Sequence, residues 1–170
     1  MSFTGLVDRT RRILDEARYL SLATVSNDDR PWAAVVQYAW VAGPLRFLFG
    51  SPAESRHSRH IASRPWVSGS LYVAGDPTSL TSVDGAQFTG RCFELGAEDV
   101  ARFHATFYDA VLPDPQQRAE WTLPESDLVA PAAHRLYVVD VERWWLVDTR
   151  TWAQDRVDRR VEMPLSELSR

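Results

Sequence analysis

The sequence contains no lysine: all 19 of its basic residues are arginine. A Schiff base to a lysine amine is therefore excluded. Any basic grip on a phosphate must come from the planar guanidinium fork or from imidazole. Cysteine is almost missing too. With Cys92 alone, an internal disulfide and a cysteine-rich zinc site are both ruled out. Its place in the alternating stretch QFTGRCFEL marks it as a small strand hydrophobe. No apolar run approaches the ~20 residues of a membrane helix, and MSFTGLVDRTRRILDEARY has no apolar core of a secretory signal. A cytoplasmic protein without a membrane partner is expected. A net charge of −4 argues against nucleic acid as a partner. The patterns GxGxxG, GxxxxGK(S/T), HExxH and GxSxG are also absent.

What is present is an ordinary globular composition, 45% hydrophobic and 25% charged over 170 residues, enough for one domain with a real core. Residues 4–18 have the period of an amphipathic helix, with Thr4 as its N-cap. Residues 19–26, 31–40 and 45–51 are apolar, strand-like and separated by the polar run 27–30 and by Gly43-Pro44. Such short gaps allow antiparallel neighbours but no crossover helix. Ser55 caps a short helix over 55–63 that Pro65 ends. Strands are expected at 66–73 and 84–95, with a loop at 74–82 between them. A helix follows over 97–112, with Val100, Phe103, Phe107 and Val111 on one stripe. Proline-rich chain over 113–133 has room for a short helix near 116–121. One or two closing strands span 135–149, and a charged tail from residue 152 lies on the surface. The sum is a mainly β fold with peripheral helices: a small antiparallel barrel.

Chemistry concentrates in Ser55-Arg56-His57-Ser58-Arg59-His60, which follows a strand and opens a helix. Free N–H groups, a hydroxyl, a guanidinium and an imidazole within one turn suit a phosphate. A solvated basic helix face is the competing reading. His57 and His60, three apart, could also face a haem iron. Gln37 and Gln87 interrupt apolar strands. Turned inward, they need partners such as a planar heteroaromatic ring supplies; turned outward, they need none. Trp144 and Trp145 are adjacent and face opposite sides of a strand, so one of them could cover a ring or a subunit interface.

LATVSNDDRPWAAVVQYAW, LRFLFGSPAESRHSRHIASRPWVSGSLY and GAQFTGRCFELGAEDVARFHATFY together resemble the FMN-binding split-barrel superfamily typified by pyridoxamine 5′-phosphate oxidase. The resemblance covers roughly residues 14–112. It implies a single split-barrel domain over 1–170 with its barrel core at about 19–148, and a homodimer with flavin mononucleotide (FMN) at the subunit interface. It also implies site residues. Arg56 and His57 would hold the phosphate with Ser55, while Gly50 and Ser51 approach the phosphate or ribityl chain. Val35, Val36, Gln37 and Tyr38 would run along the ring, joined by Gln87 and, from a partner, by Trp145. The family's second basic residue is commonly lysine, and here it is His57. The basic residues with which the oxidase binds pyridoxamine phosphate have no counterpart over 134–170, so vitamin B6 oxidation is not implied.

The function expected is therefore an FMN-dependent oxidoreductase that passes hydride to or from a small-molecule substrate, with specialised metabolism as one setting. A deazaflavin is an alternative cofactor. So is haem held by His57 or His60, in a haem-binding protein or haem-dependent enzyme on the same barrel. A non-catalytic flavin-binding module is the remaining alternative. No residue stands out as a general base, although Tyr38 and His57 are candidates.

Overall fold

A computed structural model describes residues 3–74, 84–148 and 152–168. Helix α1 (Phe3–Glu16) leads into strands β1 (Tyr19–Val25), β2 (Pro31–Gln37), β3 (Ala39–Val41) and β4 (Arg46–Pro52). Helix α2 (Arg56–Ser63) precedes β5 (Trp66–Val73) and β6 (Asp84–Glu94). Helices α3 (Ala97–Val111) and α4 (Pro115–Trp121) then lead to the long β7 (His134–Asp148). A short helix α5 (Trp152–Asp155), strand β8 (Arg159–Glu162) and a single 3-10 turn (Leu165–Glu167) follow. The loop expected at 74–82 lies, beyond Ala74, outside the described residues. The N-terminal helix already includes Phe3, so Thr4 falls inside it instead of capping it.

All the strand pairs are antiparallel, and the sheet runs β2-β1-β5-β6-β7-β4-β3, with β8 added beside β7. Alternation decides which side each residue takes. β1 buries Leu20, Leu22 and Thr24 and turns Ser21 and Ala23 outward. The expected single strand over 31–40 is two strands. Its first part pairs with β1 and its last part with β4, so β2 and β3 lie at opposite ends of the sheet with only Tyr38 between them. The sheet has rolled until its two edges meet along one chain, as in a split barrel. Gly43, at a φ of 68°, supplies the left-handed residue of the turn into β4.

Two apolar cores result. The barrel interior packs Phe47, Phe49, Phe88 and Trp144 with Leu20, Leu22 and Ile13 of α1. Trp144 is fully buried and donates from its indole nitrogen to Thr10 Oγ1 at 3.1 Å. A second core lies outside the barrel wall, where Val100, Phe103, Phe107 and Val111 of α3 cover Leu48, Leu136 and Val138. The stripe read from the sequence is thus the buried face of α3. The C-terminal segment departs from the expected surface tail. Met163 and Leu168 are buried in the barrel core, and Met163 N–H donates to the Trp144 carbonyl at 3.0 Å. The charges of this segment are exposed on β8, where Arg143 pairs with Glu162 at 2.8 Å, while its apolar residues reach the core.

Candidate functional site

The end of β4 and the start of α2 build a compact polar cluster. Ser55, extended at φ −63° and ψ 154°, caps α2 by accepting from the Ser58 N–H at 3.2 Å. Its hydroxyl donates to Ser58 Oγ at 2.8 Å. Ser51, buried at the end of β4, lies 3.2 Å from Ser55 Oγ and 2.7 Å from His57 Nε2. The same imidazole nitrogen is 3.1 Å from Ser55 Oγ. Two hydroxyls and one imidazole therefore converge within a single hydrogen-bonding sphere. Burial, and less strongly the neighbouring His60, hold the His57 pKa below its ordinary value.

Arg56 projects outward, its guanidinium 4.5 Å from the centroid of the Trp32 ring. It makes no ion pair among the described residues, and the first turn of α2 carries no acid. Arg59, one turn on, is different: it lies 3.7 Å from Glu54. The histidines separate as well. His60 is buried and shares a hydrogen bond with Thr24 Oγ1 at 3.0 Å, whereas His57 faces the serines. The two imidazoles thus engage different partners. Among the described residues no group of three or more His, Cys, Asp or Glu side chains could hold a metal ion.

The remaining expected residues divide between the two sides of the sheet. Gly50 points away from Ser51, and a Cβ there would come within 3.3 Å of Phe107 on α3. Val36 and Tyr38 face the barrel interior. The Tyr38 hydroxyl donates to the Leu14 carbonyl at 2.9 Å, and burial raises its pKa, so it keeps its proton at neutral pH. Gln37 donates to the Val111 carbonyl at 2.8 Å and so anchors the end of α3. Cys92 is the buried strand residue its alternation predicts, with burial pushing its thiol pKa up.

Val35, Gln87 and Trp145 share the outward face. The register aligns Val35 with Ser21, Ser21 with Ser70, Ser70 with Gln87 and Gln87 with Trp145, one row across five strands. Gln87 Oε1 accepts from Arg160 at 2.8 Å, and the Arg143 guanidinium lies 4.7 Å from the Trp145 ring centroid. Val35 and Gln87 are three strands apart, about 14 Å at ordinary strand spacing, so one chain does not bring them into contact. Trp32 and Thr24 were not singled out in the sequence. The outer-inner parity of PWAAVVQ puts Trp32 on the side of Ala34 and Val36, which is the only local hint of its position.

Comparison with known proteins agrees with this architecture. A "UPF0306 protein" of Klebsiella pneumoniae is 29% identical over 83 residues, 49% of this chain and 55% of that protein. The chain thus spans about half the length of that curated relative. A solved heme binding protein from Mycobacterium smegmatis superposes with a TM-score of 0.73 at 16% identity, covering 99% of this chain and 60% of that one. A FAD-binding protein from Mesorhizobium loti superposes with a TM-score of 0.54 at 19% identity, covering 79% and 88%. At such identities the likeness is one of fold. Among the described residues no helix is long and apolar enough to cross a membrane. The family model for pyridoxamine 5′-phosphate oxidase matches residues 6–148, most of the chain, and together with the rolled antiparallel sheet this places the protein in the pyridoxamine 5′-phosphate oxidase family.

Proposed function

We propose that this chain is a flavin-binding oxidoreductase that acts as a homodimer and uses FMN to exchange hydride with a small-molecule substrate. The observation that carries this reading is the cradle at the start of α2. Ser51, Ser55 and His57 meet there, beside an arginine that is held over a tryptophan face and makes no ion pair among the described residues. A phosphate monoester fits such a donor set, because hydroxyls, imidazole and a guanidinium can all donate to its oxygens. Bound FMN supplies the hydride chemistry. The chain's own residues hold the phosphate and present the sheet face. The outward row from Val35 to Trp145 is too wide to enclose a ring from one side, so a second copy completing the site accounts for its composition. Small residues, Ser21, Ala23 and Ser70, fill its centre, with Tyr19, Trp66 and Tyr72 exposed around them.

FMN titration tests the reading. Quenching of flavin fluorescence at micromolar FMN is expected, and its absence would remove the flavin. A deazaflavin shares the same cradle and is separated from FMN by competition. Haem is the second reading, favoured by the likeness to the Mycobacterium smegmatis protein over 99% of this chain. In that case His57 is the better candidate, since His60 is buried against Thr24. A Soret band lost in His57→Ala but kept in His60→Ala would support it. Bound flavin that no nicotinamide donor reduces would point instead to a non-catalytic module.

A further inference from the structure

A cleft of about 340 Å³ lies between the second half of α2 and the adjoining parts of β6 and β7. Ile61, Ala62 and Cys92 give it apolar walls, and Ser58, Glu94 and Tyr137 add three polar groups. None of the residues assigned to the flavin lines it. Size limits what it can hold. An apolar cavity of about 150 Å³ accommodates one benzene ring, so this one has room for roughly two fused rings.

The polar groups narrow the class further. The Cys92 thiol stays neutral, because burial raises its pKa, and the same cause keeps the Tyr137 hydroxyl protonated. Tyr137 is hydrogen-bonded to Ser58, which already takes a bond from Ser55. These two hydroxyls therefore largely satisfy one another. Glu94 is different. Arg135 Nε stands 2.6 Å from its carboxylate as an ion pair, yet Glu94 lines the cleft and Arg135 does not. An ionised carboxylate only accepts hydrogen bonds and repels anions. The cleft therefore offers an apolar slot with one acceptor, the exposed and ion-paired Glu94, at its edge.

We infer that this cleft is a second ligand site, for a neutral bicyclic aromatic molecule carrying a ring N–H, with the rings against Ile61, Ala62 and Cys92 and the N–H donated to Glu94. The site is distinct from the flavin cradle, which it adjoins through the Ser55–Ser58 hydrogen bonds and through the Phe49 ring, stacked on Tyr137 and beside His57.

Ligand-observed saturation-transfer NMR on the full chain tests this with indole as the probe. Saturation transfer at millimolar indole is expected. Benzofuran has the same outline but no N–H, and should bind about tenfold more weakly, because Glu94 loses its donor. Ala62 is exposed on α2. Ala62→Phe should fill the slot and weaken indole at least about tenfold with unchanged circular dichroism. Arg56→Ala, which disables the cradle, should leave indole binding intact. No transfer at millimolar indole, equal binding of benzofuran and indole, or undiminished binding in a folded Ala62→Phe would each overturn the assignment. The indole–benzofuran comparison needs no variant, so it stands even if Ala62→Phe fails to fold.

Discussion

At the scale of single residues, Arg56 and His57 carry the argument, and each makes a different prediction. Arg56 is exposed and buries little, so Arg56→Ala should leave stability nearly unchanged. It should weaken FMN by about 1.5–3 kcal/mol, the range for a lost charge-assisted hydrogen bond. Trp32→Leu should give a smaller loss in the same titration, because Trp32 only positions the guanidinium. His57 predicts a pH dependence. Burial makes its folded pKa lower than that of the unfolded chain, so the folded protein binds fewer protons as pH falls below about 6.5. Its contribution to stability is full above that pH and is lost on the way down to the depressed value. A bound phosphate acts in the opposite sense by favouring the imidazolium. FMN should therefore gain affinity as the pH falls through about 6.5 toward the depressed value. The phosphate titrates there too, so the measurement is the difference between the parent and His57→Asn; identical slopes would remove His57 from the cradle. Ser55, Arg56 and His57 were legible in the sequence because a helix cap is local. Trp32 and Thr24 were not, because their contacts to α2 exist only once β1 and β2 have paired.

Among the elements, β6 shows how a sheet dictates a residue. Its pairing with β7 shifts register between Thr89 and Gly90, and a Cβ at Gly90 would lie 2.2 Å from the Asp140 carbonyl oxygen. Backbone cannot rotate away as a side chain can. Gly90→Ala should cost about 3 kcal/mol, the upper end for an overpacked site, with a lower urea midpoint and an unchanged m-value. A midpoint equal to the parent's would mean that the two strands are not this close. The individual strands were visible as alternating apolar runs, and the capped helix and the α3 stripe were visible as periodicity. The break at Tyr38 was not. PWAAVVQYAW is apolar apart from Gln37, and only the closing of the sheet decides that its two halves join opposite edges. The role of 159–168 was hidden for a related reason. Met163 and Leu168 are scattered among charged and polar residues with no clear period, and their burial depends on the edge that β7 offers to β8.

For the molecule as a whole, the decisive feature is the outward face of β2-β1-β5-β6. Val35 is 75% exposed there, although every strand residue that faces the other way in β1 is buried. An isolated chain thus leaves Val35, Trp66 and Tyr72 in water beside a band of serine and alanine, a surface smooth enough to pack against a copy of itself. If the dimer forms through this face, a charge at Val35 is harmless to the fold but costly to association, because it would be buried without a partner. Val35→Arg should retain the far-ultraviolet circular dichroism of the parent, yet elute and scatter light as a single chain. Flavin affinity should fall with it, although Arg56, Ser55 and His57 are untouched, because the ring would lose the partner's half of its site. A Val35→Arg protein that remains dimeric would move the interface elsewhere on the barrel. A monomer that still binds FMN as tightly as the parent would mean that one chain holds the whole cofactor, and that the row from Val35 to Trp145 serves another purpose.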